Sequence, residues 1–335
     1  MVDVASVPTF AELDQFPETV PMLQNGWQPT GGPVDPEDNQ GLLNWPLREL
    51  TDRTRYLKTR IDNMAVKAAD LVTVGAGGEF LTINEALIAL SERRPAYKPG
   101  GFITELRLLS GFIMAEQVLI SGLNMGWITI TGDDAETFID RAYLTQQFGI
   151  RIPAFGVLDG GVLPRIGQLF TMMNTGSATD RCGVLCGDGG GATVLGGAGV
   201  KLAGADGANV AMGGRLSATG AIFSNAGENG INAGGSTTVS AIDVDVSGCA
   251  VRGVLAQNLA SVNIGNGICT GAGSVGIEAR DGAIIYAGNA QCRKAASDST
   301  SDIVATRGSR ISAYGAIGGT NIAVNTLTAN GIIYR

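Results

Sequence analysis

GINA at 230–233, GVLA at 253–256, GIEA at 276–279 and DIVA at 302–305 are four versions of one tetrapeptide: a small or turn-forming residue, an aliphatic, any residue, then Ala. Their starts are 23, 23 and 26 positions apart, and nine positions after each start stands a β-branched residue: Val239, Val262, Ile285 and Ile311. A period in the twenties marks a solenoid, whose units stack because none can bury its apolar face alone. Within the units, residues alternate, as in Ile242-Asp243-Val244-Asp245-Val246, and Gly, Asn, Asp and Ser punctuate them; alternation with such turn residues is strand chemistry. The units contain no helical period and no leucine-rich consensus. The fold class expected is mainly β: a right-handed parallel β-helix whose coils pair through the backbone about 4.8 Å apart.

Composition agrees. The chain has 50 Gly in 335 residues, about twice the ordinary share of roughly 7%, without a G-X-Y period. Tight corners and closely stacked backbones account for them. Apolar residues reach 44% while aromatics are 6% and charged residues 16%, as suits a narrow interior filled by small side chains. The net charge of −8 argues against nucleic acid as a partner, since phosphate recognition needs a Lys/Arg footprint. No run approaches the 18 or so apolar residues of a membrane span. MVDVASVPTFAELDQF at 1–16 has no basic region followed by an apolar stretch, so no signal peptide is expected. With no histidine in the chain, Ser-His-Asp and Cys-His mechanisms and histidine metal sites are excluded. The five cysteines, Cys182, Cys186, Cys249, Cys269 and Cys292, are expected as buried free thiols behaving as small hydrophobes; Cys182 and Cys186 do not have the C-x-x-C spacing of a redox pair.

Upstream, the pattern divides the chain. Residues 1–44 read as an extended arm rich in Pro, Gly and Asp, too poor in apolar residues to form a core. Residues 45–71 read as a helix: Asn44 stands near the N-cap and Pro46 in the first turn. Leu47, Leu50, Thr54, Leu57, Ile61, Met64 and Ala68 recur in steps of three and four, a heptad seam. That seam fits either a parallel coiled coil joining several chains or an amphipathic helix lying on its own domain. Residues 72–132 read as the solenoid's cap and first coils, with strands near 102–109, 117–121 and 127–131. Thr82-Ile83-Asn84-Glu85 is a capping box ahead of an apolar stripe of Ala86, Leu87 and Leu90, a short helix suited to plugging the end of the stack. Residues 133–198 lose the period and read as larger coils carrying loops. Residues 199–335 read as regular coils of about 23 residues.

Two segments resemble a known family. GGPVDPEDNQGLLNWPLRELTDRTRYLKTRID at 31–62 resembles the N-terminal region of tailed-bacteriophage tail fibres and tailspikes, through an N-x-PL-x-x-L-x-x-RT-x-x-LK stretch met here by Asn44, Pro46, Leu47, Leu50, Arg53, Thr54, Leu57 and Lys58. VTVGAGGEFLTINEAL at 72–87 is similar to the opening of pectate-lyase-like β-helices, common in phage tail proteins. The resemblance implies a homotrimer held by its N-terminal arm to virion tail or baseplate proteins. Trp27 and Trp45 are the candidate attachment residues. It implies a virion-tail location after assembly in the host bacterial cytoplasm. The remainder of the chain would contact a host cell-surface polysaccharide or protein, with no cofactor.

The alternatives are a trimeric tailspike hydrolase acting on capsule or lipopolysaccharide and a cellular β-helix adhesin or polysaccharide enzyme. Glycan hydrolysis without histidine needs two carboxylates. The local pair is Asp243 and Asp245, two apart on an expected strand and therefore on one face. Degrading tailspikes usually carry a longer solenoid and a separate C-terminal domain, whereas here NTLTANGIIYR follows within one unit of the last clear coil, so binding without hydrolysis is the expectation. The other acids, Asp159, Asp180, Asp188, Asp206, Glu228, Glu278, Asp281, Asp298 and Asp302, are scattered, mostly beside Gly or Ser in turns. GDGGG at 187–191 and GADGAN at 204–209 loosely resemble calcium turns but lack the coil-to-coil repetition that would place ligands, so no metal is expected. Tyr286, Tyr314 and Tyr334 are candidates for stacking on sugars or for packing between subunits.

Overall fold

The computed structural model describes residues 50, 52–58, 71–91, 103–173, 180–292, 302–317 and 331–334. The chain divides into two compact units; residues 50–58 fall in the first and every described strand in the second.

The strands stack in parallel as three walls of a β-helix. The first wall is an eight-stranded sheet running from Val118–Ser121 through Ile152–Leu158, Arg181–Cys186, Ala208–Val210, Asn229–Gly234, Arg252–Gln257 and Val275–Ala279 to Ile303–Ala305. The second begins with Leu71–Val74, Thr104–Leu108, Ile128–Gly132 and Arg165–Ile166. It continues through the bridge between Ile166 and Val194 into a seven-stranded sheet that ends at Ile332–Tyr334. The third starts as the four strands Ile113–Met114, Thr137–Asp140, Leu169–Met173 and Gly199–Lys201. Beyond them it narrows to single-residue bridges joining Gly199, Ile222, Asp245, Ile268, Gln291 and Ile317.

The repeated tetrapeptides lie on one another. Ile231, Val254, Ile277 and Ile303 form one column of the first wall, continued backward by Ala208, Val184, Phe155 and Val118. Val239, Val262, Ile285 and Ile311 form the matching column of the second wall. All of these side chains are buried in one core. Residues 133–173 and 180–198 belong to the same three walls. They depart from the period because the early coils are longer: register partners Val118 and Phe155 are 37 positions apart and Phe155 and Val184 are 29, against 23 from Ile231 to Val254.

Corners carry the left-handed residues. Between the first and second walls, both residues have positive φ at Asp159-Gly160, Asp188-Gly189, Met212-Gly213, Gly235-Ser236, Asn258-Leu259, Asp281-Gly282 and Arg307-Gly308, as in a type I′ turn. Successive turns are themselves bonded: Gly213 N–H donates to Gly235 O at 2.9 Å and Ser236 N–H to Asn258 O at 2.9 Å. Between the second and third walls Asp243, Asn266 and Asn289 all have φ of 57–59°. Their side chains form an outer ladder: Asn266 Nδ2 donates to Asp243 Oδ1 at 3.0 Å and Asn289 Nδ2 to Asn266 Oδ1 at 3.4 Å.

The cap helix, Ile83–Ser91, begins as the capping box specifies. Glu85 N–H donates to Thr82 Oγ1 at 3.1 Å and Thr82 N–H to Glu85 Oε2 at 3.3 Å. Glu116 adds a second carboxylate, accepting from Ile83 N–H at 2.6 Å and Asn84 N–H at 3.0 Å. Burial pushes the Glu116 carboxyl above its ordinary range, against the pull of those two donors. Ile83, Ala86, Leu87 and Leu90 join the core at the end of the stack where Leu71–Val74 lies.

All five cysteines are free and buried. Burial raises each thiol, Cys249 to about 11 and Cys186 and Cys292 to about 12, and an un-ionised, inaccessible thiol is a poor nucleophile. Folded protein is therefore expected to resist a thiol-specific disulfide reagent at pH 8, while denatured protein reacts at all five positions; rapid labelling before denaturation would place a cysteine at the surface.

Candidate functional site: a carboxamide-lined cleft on the first wall

The outer face of the first wall carries a buried carboxylate. Asp206 is fully buried, and an isolated ionised carboxylate there would cost several kcal/mol. It accepts from Asn209 Nδ2 at 2.7 Å, Asn229 Nδ2 at 2.7 Å, Asn232 Nδ2 at 3.2 Å and Arg151 Nη2 at 3.2 Å. The same Arg151 nitrogen donates to Glu228 Oε2 at 2.8 Å. Burial opposes the arginine's charge, but Asp206 and Glu228 outweigh it and hold the guanidinium above its ordinary range.

Arg151 reaches this position at the end of a built loop. Gln117 clamps residues 145–153, donating from Nε2 to Gln146 O at 3.0 Å and Pro153 O at 2.8 Å. Its Oε1 accepts from Thr145 N–H at 3.0 Å and Gln146 N–H at 2.7 Å. Phe148 N–H donates to Arg151 O at 2.8 Å across a tight turn in which Gly149 has φ of 62°. Phe148 seats on Gly156, where an added Cβ would lie 2.6 Å from its ring. The turn leaves Ile150 at the surface, 52% exposed.

Beside Ile150 lies a cleft of about 320 Å³ whose lining includes Asn209, Met212, Asn232, Gly234, Gly235 and Gln257. Its amides are oriented from behind. Asn232 turns its NH2 to Asp206, and Gln257 turns its Oε1 to Arg280, which donates from Nε at 2.9 Å and also from Nη2. Gln257 Nε2 and Asn232 Oδ1 face each other at 3.5 Å, a long contact that leaves each hydrogen-bonding capacity to spare. The nearby charges are spent internally: Arg252 pairs with Glu278, and Arg280 lies between Glu278 and Asp281.

The sequence-derived candidates lie elsewhere. Ile242–Val246 is a corner and not the expected strand. Asp243 is left-handed at φ 57°, and Asp245 is a single-residue bridge on the third wall. The physical reason is that the positive-φ turn breaks the two-residue alternation: Val244 and Val246 are buried, but Ile242 is not. Both carboxylates hold the backbone or the corner together, Asp243 in the outer ladder and Asp245 through Ser247 N–H at 2.9 Å. Asp206 and Glu228 meet on Arg151, as Glu278 and Asp281 do on Arg280. Asp206 is turned wholly to its four donors and not to solvent. Asp188 occupies a left-handed corner.

Of the heptad seam, Leu50, Thr54 and Leu57 are described. They lie on one helical face, with Leu50 and Leu57 59% and 52% exposed and Thr54 Oγ1 donating to Leu50 O at 2.8 Å. Leu47, Ile61, Met64, Ala68, Trp27 and Trp45 lie outside the described residues. Tyr286 and Tyr334 stand on the outer face of the second wall and Tyr314 at its corner, all exposed. Among the described residues no group of three or more Asp, Glu, Cys or His side chains is placed to hold a metal, and no helix is long and apolar enough to cross a membrane.

No protein-family model matches the chain, and no curated protein sequence matches it. The architecture is that of a mainly-β protein built from short parallel strands in stacked sheets, a β-solenoid.

Proposed function

We propose that this chain is a structural component of a tailed-phage virion, a tail fibre or tailspike attached by its N-terminal arm and used for host-surface attachment. The observation that carries the reading is the tail-fibre-like stretch Asn44–Lys58 standing directly before a β-solenoid. The exposed Leu50 and Leu57, on one face of a charged helix, support a seam that closes against other copies, because exposed leucines at heptad spacing are stabilised by burial in a coiled coil. The solenoid is then a rigid rod displaying its outer walls, and the first-wall cleft is its candidate contact site. Asp206, the one fully buried carboxylate beside that cleft, is saturated by its donors, which favours binding over glycan cleavage.

The assembly expected is a parallel homotrimer. Light scattering at micromolar concentration should return about three times the 34.4 kDa chain mass, and the purified trimer should compete with intact particles for adsorption to host cells. A monomer that leaves adsorption untouched would defeat the reading.

A further inference from the structure

We infer that the first-wall cleft recognises an uncharged, polyhydroxylated ring, a neutral sugar unit rather than an acidic one; this inference rests on the attachment reading for its biological meaning. The lining, its charges, its amides and its size carry it. No charged side chain lines it, and the arginines nearest to it, Arg151 and Arg280, are engaged by Asp206 and Glu228 and by Gln257, Glu278 and Asp281. A carboxylate or phosphate entering the cleft would lose hydration and gain no counter-ion, which is unfavourable. Its polar groups are carboxamides, and their orientation is set by ionised groups behind them. Asp206 fixes the Asn232 amide and Arg280 fixes the Gln257 amide, leaving a donor, Gln257 Nε2, beside an acceptor, Asn232 Oδ1. A vicinal pair of hydroxyls, each able to donate and accept, matches such a pair.

The apolar half of the cleft fits the same ligand. Ile150 and Met212 are 52% and 45% exposed, and they offer apolar surface for the C–H face of a pyranose. Gly234 and Gly235 contribute no side chains, so the ring can approach the backbone. The volume of about 320 Å³ sits at the small end of ligand clefts, roughly 300–1,000 Å³, which suits one or two sugar rings rather than a folded protein surface.

The test uses the full chain in affinity electrophoresis through gels containing dextran, mannan or galactan, and separately polygalacturonate or hyaluronate. Retardation by at least one neutral polymer and by neither acidic one is expected. Ile150→Ser and Met212→Ala change exposed side chains, so both variants are expected to fold, with melting curves as the check, and each should weaken the neutral interaction about tenfold. Retardation by the acidic polymers at least as strong as by the neutral ones overturns the inference. So does neutral retardation unchanged in both variants, or no neutral retardation at all, which would also be the result for a protein receptor. Each of these outcomes leaves the attachment reading standing if the trimer still blocks particle adsorption. Neutral-sugar binding by a protein that is absent from particles sinks the attachment reading alone.

Discussion

Val262→Asp is expected to abolish the folded solenoid. Val262 is 2% exposed and sits in the second-wall column between Val239 and Ile285, so a carboxylate there would replace stacked apolar contacts and find no cation beside it in the column. Burying it uncompensated costs several kcal/mol, or forces protonation at similar expense, against a total stability of about 5–15 kcal/mol for a typical domain. Val262→Ala should cost less, about 1–3 kcal/mol for lost burial and a cavity. Asp243→Asn should be nearly silent, because an amide oxygen accepts from Asn266 Nδ2 as the carboxylate does and simply extends the Asn ladder. Circular-dichroism melting of the three variants checks the order. A soluble Val262→Asp protein melting like wild type would mean that the coil register is wrong.

Gly253→Val is expected to be nearly as damaging, for a reason of space and not of burial. A Cβ at Gly253 would stand 2.6 Å from Gly276 O and 2.9 Å from Cys269 Cβ, both fixed parts of the stack. The same corner recurs one coil either side: Gly230 faces Val246 Cβ at 2.5 Å and Gly276 faces Cys292 O at 2.6 Å. The leading glycine of GINA, GVLA and GIEA is thus where Val246, Cys269 and Cys292, through side chain or backbone, press on the first wall's backbone. Overpacking a rigid core costs roughly 1–3 kcal/mol and more when backbone must move. Gly253→Val should therefore lower the melting temperature well below that of Gly191→Ala, where an added Cβ meets nothing within 4 Å. Equal melting of the two would show that the corner is looser than described.

Those two positions also show what the chain makes legible. The tetrapeptides and the β-branched residues nine positions later announced both inward columns, because a two-residue alternation repeated every 23 residues leaves one way to bury all its aliphatic side chains. The capping box at Thr82–Glu85 was equally plain, since its two reciprocal bonds lie within four residues. Ile242–Val246 misled because alternation is a property of extended backbone. One left-handed residue at Asp243 keeps the apparent pattern while changing which side chains point in. The third wall holds single bridges in its later coils, too short for periodicity to register.

The sequence candidates do not include the cleft, although the repeat carries one trace of it. Asp206 and Asn229 are 23 residues apart, as are Asn209 and Asn232, so the repeat itself places carboxamides around the buried carboxylate. Arg151 comes from a loop 55 and 77 positions from its two partners, and no local spacing reports a contact of that range. Its only sequence signal was the loss of the period across 133–198, which marks the longer coils that carry the clamped loop.

We propose that this solenoid is carried on a virion as its host-contacting part. The direct measurement is electron microscopy of purified particles labelled with gold-conjugated antibody against residues of the solenoid and, separately, against a tag fused to the N-terminus. Solenoid label is expected at the outer extremity of the tail and N-terminal label nearer the tail body. Particles that carry neither label, while the protein remains with the host cells, would contradict it.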